Sequence, residues 1–556
     1  MKKISIVSIV VLCIILFGGC TSEPNQEVNI IPQPQQVTVV DGGFYLSPKT
    51  VINVVKGADD LQPACTFMST LVEKSFGKTL TVENGEARKN AINIVVDPSM
   101  KTDAYDLTVE KNAVNIKGGS SKAVFYAMQS LRQMIPVGVE NGEKMDRIRI
   151  QNVQIQDEPR LGYRGTMLDV CRHFFTVDEV KTFIDMLALH KLSVFHWHLT
   201  DDQGWRIEIK KYPELTKIGS QRKQTVIGKN TGKYDATPYG PYFFTQEEIK
   251  DVIRYAADRY ITIIPEIELP GHALAALATY PELGCTHTDT IEKNVGKTVD
   301  LMLCANNEKV YTVYKDIIDE VSALFPSRYI HLGGDEAVIE KNWTKCERCQ
   351  KMMKELKYEK ASQLMIPFFD RMLSFVRADG KEPILWCELD NIRMPANDYL
   401  FPYPKDVTLV SWRYGLTPTC QELTRQHGNP LIMAPGEFAY LDYPQFKGDL
   451  PEFNNWGMPV TTLETCYQFD PGYGRPASEQ AHILGVMGTL WGEAIKDINR
   501  VTYMTYPRGL ALAEAGWTQM EHRSWDSFKE RLYPNLTNLM KNGVSVRVPF
   551  EIVKRK

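Results

Sequence analysis

The chain contains no run of like charge, no low-complexity tract and no self-similar period of the kind that builds a solenoid. The missing charge blocks, together with a formal net charge of −4, leave no basic surface for nucleic acid or for an anionic membrane. No glycine-rich phosphate loop, dinucleotide fingerprint or kinase motif set occurs, so nothing points to nucleotide chemistry. Past the first twenty residues there is no apolar stretch long enough to cross a bilayer. Cysteines beyond residue 20 number nine, an odd and sparse set that does not make a disulfide scaffold. What remains is ordinary globular composition, 43% hydrophobic and 24% charged, in 556 residues, more than one ordinary domain needs.

The N-terminus is the exception. Lys2 and Lys3 precede an apolar run from Ile4 to Phe17, then Gly18, Gly19 and Cys20. The run is short for a membrane span and ends in small residues, so 1–19 reads as an export signal. Small residues directly before Cys20 resemble the lipobox of bacterial lipoproteins. That resemblance implies cleavage before Cys20, acylation of its thiol, and a polar tether over 20–27. The expectation is an exported lipoprotein in the periplasm or at the outer membrane or cell surface, touching membrane only through its anchor. Cys346 and Cys349 form a CxxC with no second CxxC and no nearby histidine. They are expected to be a local disulfide or two buried thiols, not a metal site. Cys285 and Cys304 bracket a polar loop and could be bridged in an oxidising compartment.

From 28 to 156, short β-rich runs (50–55, 91–96, 104–110, 113–118) alternate with one stretch of helical spacing at 121–135. This predicts a small α+β domain. Asp157, Glu158 and Pro159 mark a boundary. Eight apolar runs follow, at 163–169, 194–200, 261–268, 329–336, 383–388, 408–413, 431–435 and 486–493. Amphipathic helices such as 177–191 and 246–259 lie between several of them. The pattern predicts α/β architecture: a (β/α)8 TIM barrel over 157–520, with 521–556 as a helical tail. Nearly every run ends in polar or aromatic residues, among them Asp169, Asp201, Glu268 and Glu388. Barrel enzymes build their sites at those C-terminal strand ends.

Asp335 and Glu336 follow two glycines at the end of a predicted buried strand. Two carboxyls this close to an apolar core cannot both ionise freely. At least one should titrate above its ordinary range, as a general acid requires. The plainer alternative is a helix-capping Asp335 beside a solvated Glu336. Trp386, Trp412 and Trp491 each close a strand; converging, they would box the apolar face of a sugar or an acetyl methyl. Arg172, Tyr440, Asp442 and Glu493 stand near other strand ends and suit a hydroxyl-rich ligand. His196 and His198 share a strand face, a spacing used by metal-dependent amidohydrolases. No clear set of further histidine ligands follows, so barrel packing and hydrogen bonding are their expected role.

Taken as ordered motifs, "RGTMLDVCRHFF…FHWHLTDDQGWR", "PEIELPGHA", "HLGGDE", "YLDY" and "LWGE" resemble glycoside hydrolase family 20, the β-N-acetylhexosaminidases. The resemblance runs from about Asn29 through the barrel. It implies an exo-acting retaining enzyme for terminal β-linked N-acetylglucosamine or N-acetylgalactosamine, with no cofactor and no metal. Glu336 would be the general acid and Asp335 the partner of the substrate acetamido group. Tyr440 would bind the acetamido oxygen, and Trp386, Trp412 and Trp491 would wall the acetyl methyl and the ring. Arg172, Asp442 and Glu493 would hold the outer hydroxyls, and Asp201 and His272 would support the acid. Cys387 departs from the acidic residue often found after that tryptophan. The competing expectations are a metal-dependent amidohydrolase or deacetylase on a similar barrel, and an inactive glycan-binding lipoprotein.

Overall fold

Alternating apolar residues build the first layer of the computed structural model, which describes residues 24–227, 233–285, 301–388, 403–449 and 459–550. The signal segment and Cys20 lie outside the described residues. Seven strands form one mixed sheet: β1 (Gln36–Leu46), β2 (Val51–Lys56), β3 (Thr81–Asn84), β4 (Ala91–Val96), β5 (Tyr105–Glu110), β6 (Ala113–Gly118) and β7 (Ile148–Asp157). Their order is β1-β7-β5-β6-β4-β2-β3. The four predicted strands are β2, β4, β5 and β6. The reading missed β1, β3 and β7; the first six residues of β1 are exposed and its register shifts between Val39 and Gly43, so it shows little alternation. The helix Ser121–Gln133 starts where the Ser120 hydroxyl accepts from the Ala123 amide, and it lays an apolar face on the sheet.

The eight predicted barrel runs are all strands: β8 (Tyr163–Asp169), β9 (Val194–His198), β10 (Thr262–Leu269), β11 (Tyr329–Gly333), β12 (Glu382–Trp386), β13 (Thr408–Ser411), β14 (Leu431–Met433) and β15 (Ile483–Leu490). They close into a parallel barrel in the order β10-β11-β12-β13-β14-β15-β8-β9. Met167, Ile264, Ile384, Val410, Ile432 and Met487 fill its interior. Two of its helices, Val177–Leu189 and Gln246–Ala257, open on reciprocal capping boxes, Thr176 with Glu179 and Thr245 with Glu248. Several strands end sooner than the apolar runs suggested. The chain turns out of the ladder at those ends, as where β11 finishes at Gly333 and Gly334 follows, with φ values of +64° and +101°. Among the described residues, no helix is long and apolar enough to cross a membrane.

The sheet and barrel meet at a buried ion pair. Lys191 Nζ lies 3.1 Å from Asp157 Oδ2 and donates to the Tyr105 hydroxyl at 2.8 Å. The Trp517 indole N–H donates to the other Asp157 oxygen at 2.9 Å. Asp157, read from the sequence as a boundary residue, is thus a structural joint. The helix Trp525–Lys541 buries Phe528, Leu532, Leu536 and Leu539 in a cluster with Ile31 and Met186, which ties the C-terminal segment to the N-terminal one and to the barrel helix Val177–Leu189.

Cys346 and Cys349 are two buried, unbridged thiols, one of the two expected states, and Cys285 and Cys304 are not bridged to each other. The second thiol pair that Cys346 and Cys349 lack in sequence is supplied in space by Cys285 and Cys304, and all four sulfurs gather in one cluster.

Candidate active site

Six of the eight barrel strands, all but β9 and β12, lead into residues that line one recess of about 550 Å³, mouth included. Its walls are Arg172, His272, Asp335, Glu336, Trp412, Tyr440, Asp442, Tyr443, Trp491 and Glu493.

The two acids differ in setting. The Asp335 side chain is buried, whereas that of Glu336 is 25% exposed and stands toward the mouth. His272 Nε2 lies 3.6 Å from Asp335 Oδ2 and 3.7 Å from Glu336 Oε2. On its other side, His272 Nδ1 lies 3.4 Å from Asp201 Oδ1 and 3.5 Å from Asp202 Oδ2. Burial opposes the His272 imidazolium, but the carboxylates of Asp201 and Asp335 outweigh it and hold its pKa well above the ordinary value. Burial, with a contribution from Glu336, pushes the Asp335 carboxyl above its usual range against the pull of His272. The expectation that at least one of two adjacent acids would rise is met at Asp335.

Backbone strain marks the same residues. His272 and Glu336 adopt φ of +46° and +48°, a region that non-glycine residues rarely occupy. Such strain costs of order 1–3 kcal/mol and persists where surrounding structure enforces it. Here the Gly334 amide donates to Glu268 Oε1 at 2.9 Å and the Leu274 amide donates to Asp202 at 3.1 Å, which pin the turns on either side.

Several buried polar atoms of the recess walls are left over, Trp412 Nε1 among them, and two of them can serve one ligand group. Asp335 Oδ1 and the Tyr440 hydroxyl are buried and find no hydrogen-bond partner among the described residues. Leaving a buried acceptor or donor unsatisfied costs about 1–3 kcal/mol, so both are set to receive a ligand that both donates and accepts. The Arg172 guanidinium is held by Asp169 at 3.0 Å, Asp201 at 2.9 Å and Gln203 at 2.9 Å, and it lies 5.1 Å above the Trp491 ring. Its orientation is therefore preset before any ligand arrives.

Residues 161–520 match the family model for glycosyl hydrolase family 20, catalytic domain, and residues 27–158 match that for domain 2 of the same family. The chain belongs to glycosyl hydrolase family 20. It is 36% identical over 553 residues to a beta-hexosaminidase of Porphyromonas gingivalis, covering 97% of this chain and 68% of the relative. A beta-hexosaminidase of Akkermansia muciniphila is 35% identical, with 78% and 83% covered. Among solved structures, the exo-β-N-acetylglucosaminidase of Vibrio harveyi in complex with N-acetylglucosamine superposes with a TM-score of 0.80 at 32% identity, covering 94% of this chain and 79% of that one. A β-N-acetylhexosaminidase of Bacteroides fragilis superposes at 0.76 with 30% identity, covering 93% and 96%. The chain is a glycoside hydrolase of the β-N-acetylhexosaminidase type, and this displaces the amidohydrolase and binding-protein alternatives.

In this family 20 barrel, Arg172, His272, Asp335, Glu336, Trp412, Tyr440, Asp442, Trp491 and Glu493 all reach the recess as expected. Trp386 and Asp201 do not line it. The Trp386 indole N–H is bound to Glu266 Oε1 at 2.7 Å, and its ring lies 5.7 Å from Trp491, so it supports the wall from below. Asp201 sits behind the recess, 2.8 Å from His198 Nε2. Cys387 does not line the recess either; its sulfur lies 2.7 Å from that of Cys420.

The sequence reading missed two groups. Tyr443 lines the recess, and its signal was present in "YLDY". Glu266 is the larger omission. Its carboxylate faces His198, stands 2.8 Å from His196 Nε2 and 3.2 Å from His331 Nδ1, and holds Trp386. The register that pairs Glu266 with both His198 and His331 puts these groups in one layer beneath the site. That layer is where His196 and His198 act, as structural hydrogen-bonding partners.

Proposed function

We propose that this exo-β-N-acetylhexosaminidase cleaves terminal β-linked N-acetylglucosamine or N-acetylgalactosamine with net retention, using the substrate's own acetamido oxygen as nucleophile. Family 20 belongs to the glycosidases that work without an enzyme nucleophile. The observation that carries the reading is one pair of the orphaned atoms in the recess. An acetamido group has one N–H and one carbonyl. Asp335 Oδ1 can accept the first, and the Tyr440 hydroxyl can donate to the second.

Held this way, the carbonyl oxygen attacks the anomeric carbon from within the same molecule. Intramolecular attack of this kind reaches effective molarities of about 10⁵–10⁸ M. The C–O bond to the aglycone breaks as Glu336, at the mouth, gives its proton to the leaving oxygen. Asp335 stabilises the positive charge of the resulting oxazolinium ion. Glu336 then takes a proton from the water that reopens the ring. Trp412 and Trp491 wall the sugar, and Arg172, Asp442 and Glu493 face its outer hydroxyls, so only a chain end enters. The closed recess supports exo action.

The test compares aryl β-glycosides of N-acetylglucosamine, N-acetylgalactosamine and glucose, with and without chelator. Release from the two acetamido sugars alone, unchanged by brief chelation, is expected. Equal release from the glucoside would sink substrate assistance.

The export signal and the small residues before Cys20 support a lipid-anchored location. Cys20→Ala should move the protein out of the membrane fraction, and a wild type that is already free of membranes would reject the anchor.

A further inference from the structure

Four cysteines from three separate stretches of sequence meet outside the recess. Cys285 and Cys304 stand side by side because Gly284 bridges Leu303 and the Cys304 amide donates to the Leu283 carbonyl at 2.9 Å. Cys346 and Cys349 flank the first turn of the helix Glu347–Leu356. The four sulfurs all lie within 4.8 Å of one another, and three of them are buried. We propose that they bind one zinc ion as a structural tetrathiolate.

Distance favours a metal over disulfides. Cys304 Sγ lies 3.8 Å from Cys346 Sγ and 3.7 Å from Cys349 Sγ, and Cys285 Sγ lies 3.9 Å from Cys349 Sγ. Four sulfurs at the zinc–thiolate distance of about 2.3 Å, on a tetrahedron, stand about 3.8 Å apart. A disulfide would draw one pair to about 2.05 Å and leave the others outside. Cys304 instead has two near-equal neighbours and no single partner. An all-sulfur, tetrahedral set selects zinc among the common divalent ions.

The surroundings suit the charge. Zinc with four thiolates carries a net charge of −2, and a guanidinium stands beside it, since Arg348 donates to the Gly284 carbonyl at 2.6 Å. The two halves are already laced together: Asn306 donates to the Arg348 carbonyl at 2.6 Å, and the Trp343 indole to the Leu303 carbonyl at 2.8 Å.

The place in the fold gives the site a purpose. Cys285 and Cys304 belong to the connection after β10, which opens with His272. Cys346 and Cys349 belong to the connection after β11, which opens with Asp335 and Glu336. A zinc ion here would clamp two of the loops that carry the acid machinery. Its role is positioning, since none of the four cysteines lines the recess.

The experiment is elemental analysis of the full chain purified without added metal. One zinc per chain is expected, falling to none in Cys346→Ser/Cys349→Ser. Protein grown on cobalt should show the intense thiolate-to-cobalt absorption of a tetrahedral tetrathiolate. Should the double variant fail to fold, peptide-resolved alkylation of the native wild type decides, with all four cysteines protected until a chelator and denaturant are added. Iron in place of zinc, two disulfides joining the four under non-reducing conditions, or four freely alkylated thiols in metal-free native protein would each overturn the proposal.

Discussion

Gly333 leaves no room for a side chain: a β-carbon there would fall 2.0 Å from both carboxylate oxygens of Glu268. Glu268 is itself buried and anchors the Gly334 amide, so it has little freedom to retreat. The positive φ of +64° adds a conformational penalty for any other residue. Gly333→Ala should therefore lower stability by about 1–3 kcal/mol and shift the turn that presents Asp335 and Glu336. Thermal melts with steady-state kinetics check this: kcat should fall more than KM changes. An unaltered melting temperature would show that Glu268 can move.

The buried Asp335 carboxyl exchanges stability for function. Its folded pKa is raised, so ionisation costs stability as pH rises from its unfolded value to its folded one, and the cost persists above that. Asp335→Asn removes the cost. Expected are a melting temperature at neutral pH no lower than wild type and a rate reduced about 10²–10⁴-fold. Glu336→Gln should lose rate to a similar extent for glycosides with poor leaving groups. A near-normal rate in either variant would remove that residue from the mechanism.

The pH profile should carry both shifts. Acid inactivation should set in above the ordinary carboxylate range, because protonated Asp335 no longer accepts from the acetamido N–H. The His272 imidazolium, held up by Asp201 and Asp335, should persist through neutral pH. A raised folded pKa means its stabilisation is complete below about 6.5, the unfolded value, and is lost as pH rises through the folded value. Melting temperature should therefore fall more steeply on the alkaline side in wild type than in His272→Gln. Identical alkaline slopes would contradict the His272 assignment.

The sheet–barrel joint offers a test remote from the site. Asp157→Leu leaves the Lys191 ammonium, fully buried, without its carboxylate. Loss of one partner of a buried pair costs about 3–5 kcal/mol. Denaturant melts should show that loss, while KM of the folded fraction stays unchanged.

Sequence alone determined the barrel, because each strand is a local apolar run and eight such runs with intervening helices have few other ways to bury their faces. It also determined most of the recess, because parallel strands bring their C-terminal ends to one rim, so residues following six of the eight runs line it. Asp335 and Glu336, adjacent in the chain, needed no folding to become neighbours. Tertiary structure decided what depends on register and on side-chain direction. Glu266 meets His331 and Trp386 across strands that lie far apart in sequence. Trp386 lies beneath the wall because its N–H finds Glu266, while Trp412 and Trp491 face the cavity. Cys285 and Cys304 join Cys346 and Cys349 because two neighbouring loops pack against each other. None of these pairings leaves a periodic or local trace, since each is a contact between segments whose relative position exists only once the barrel has closed.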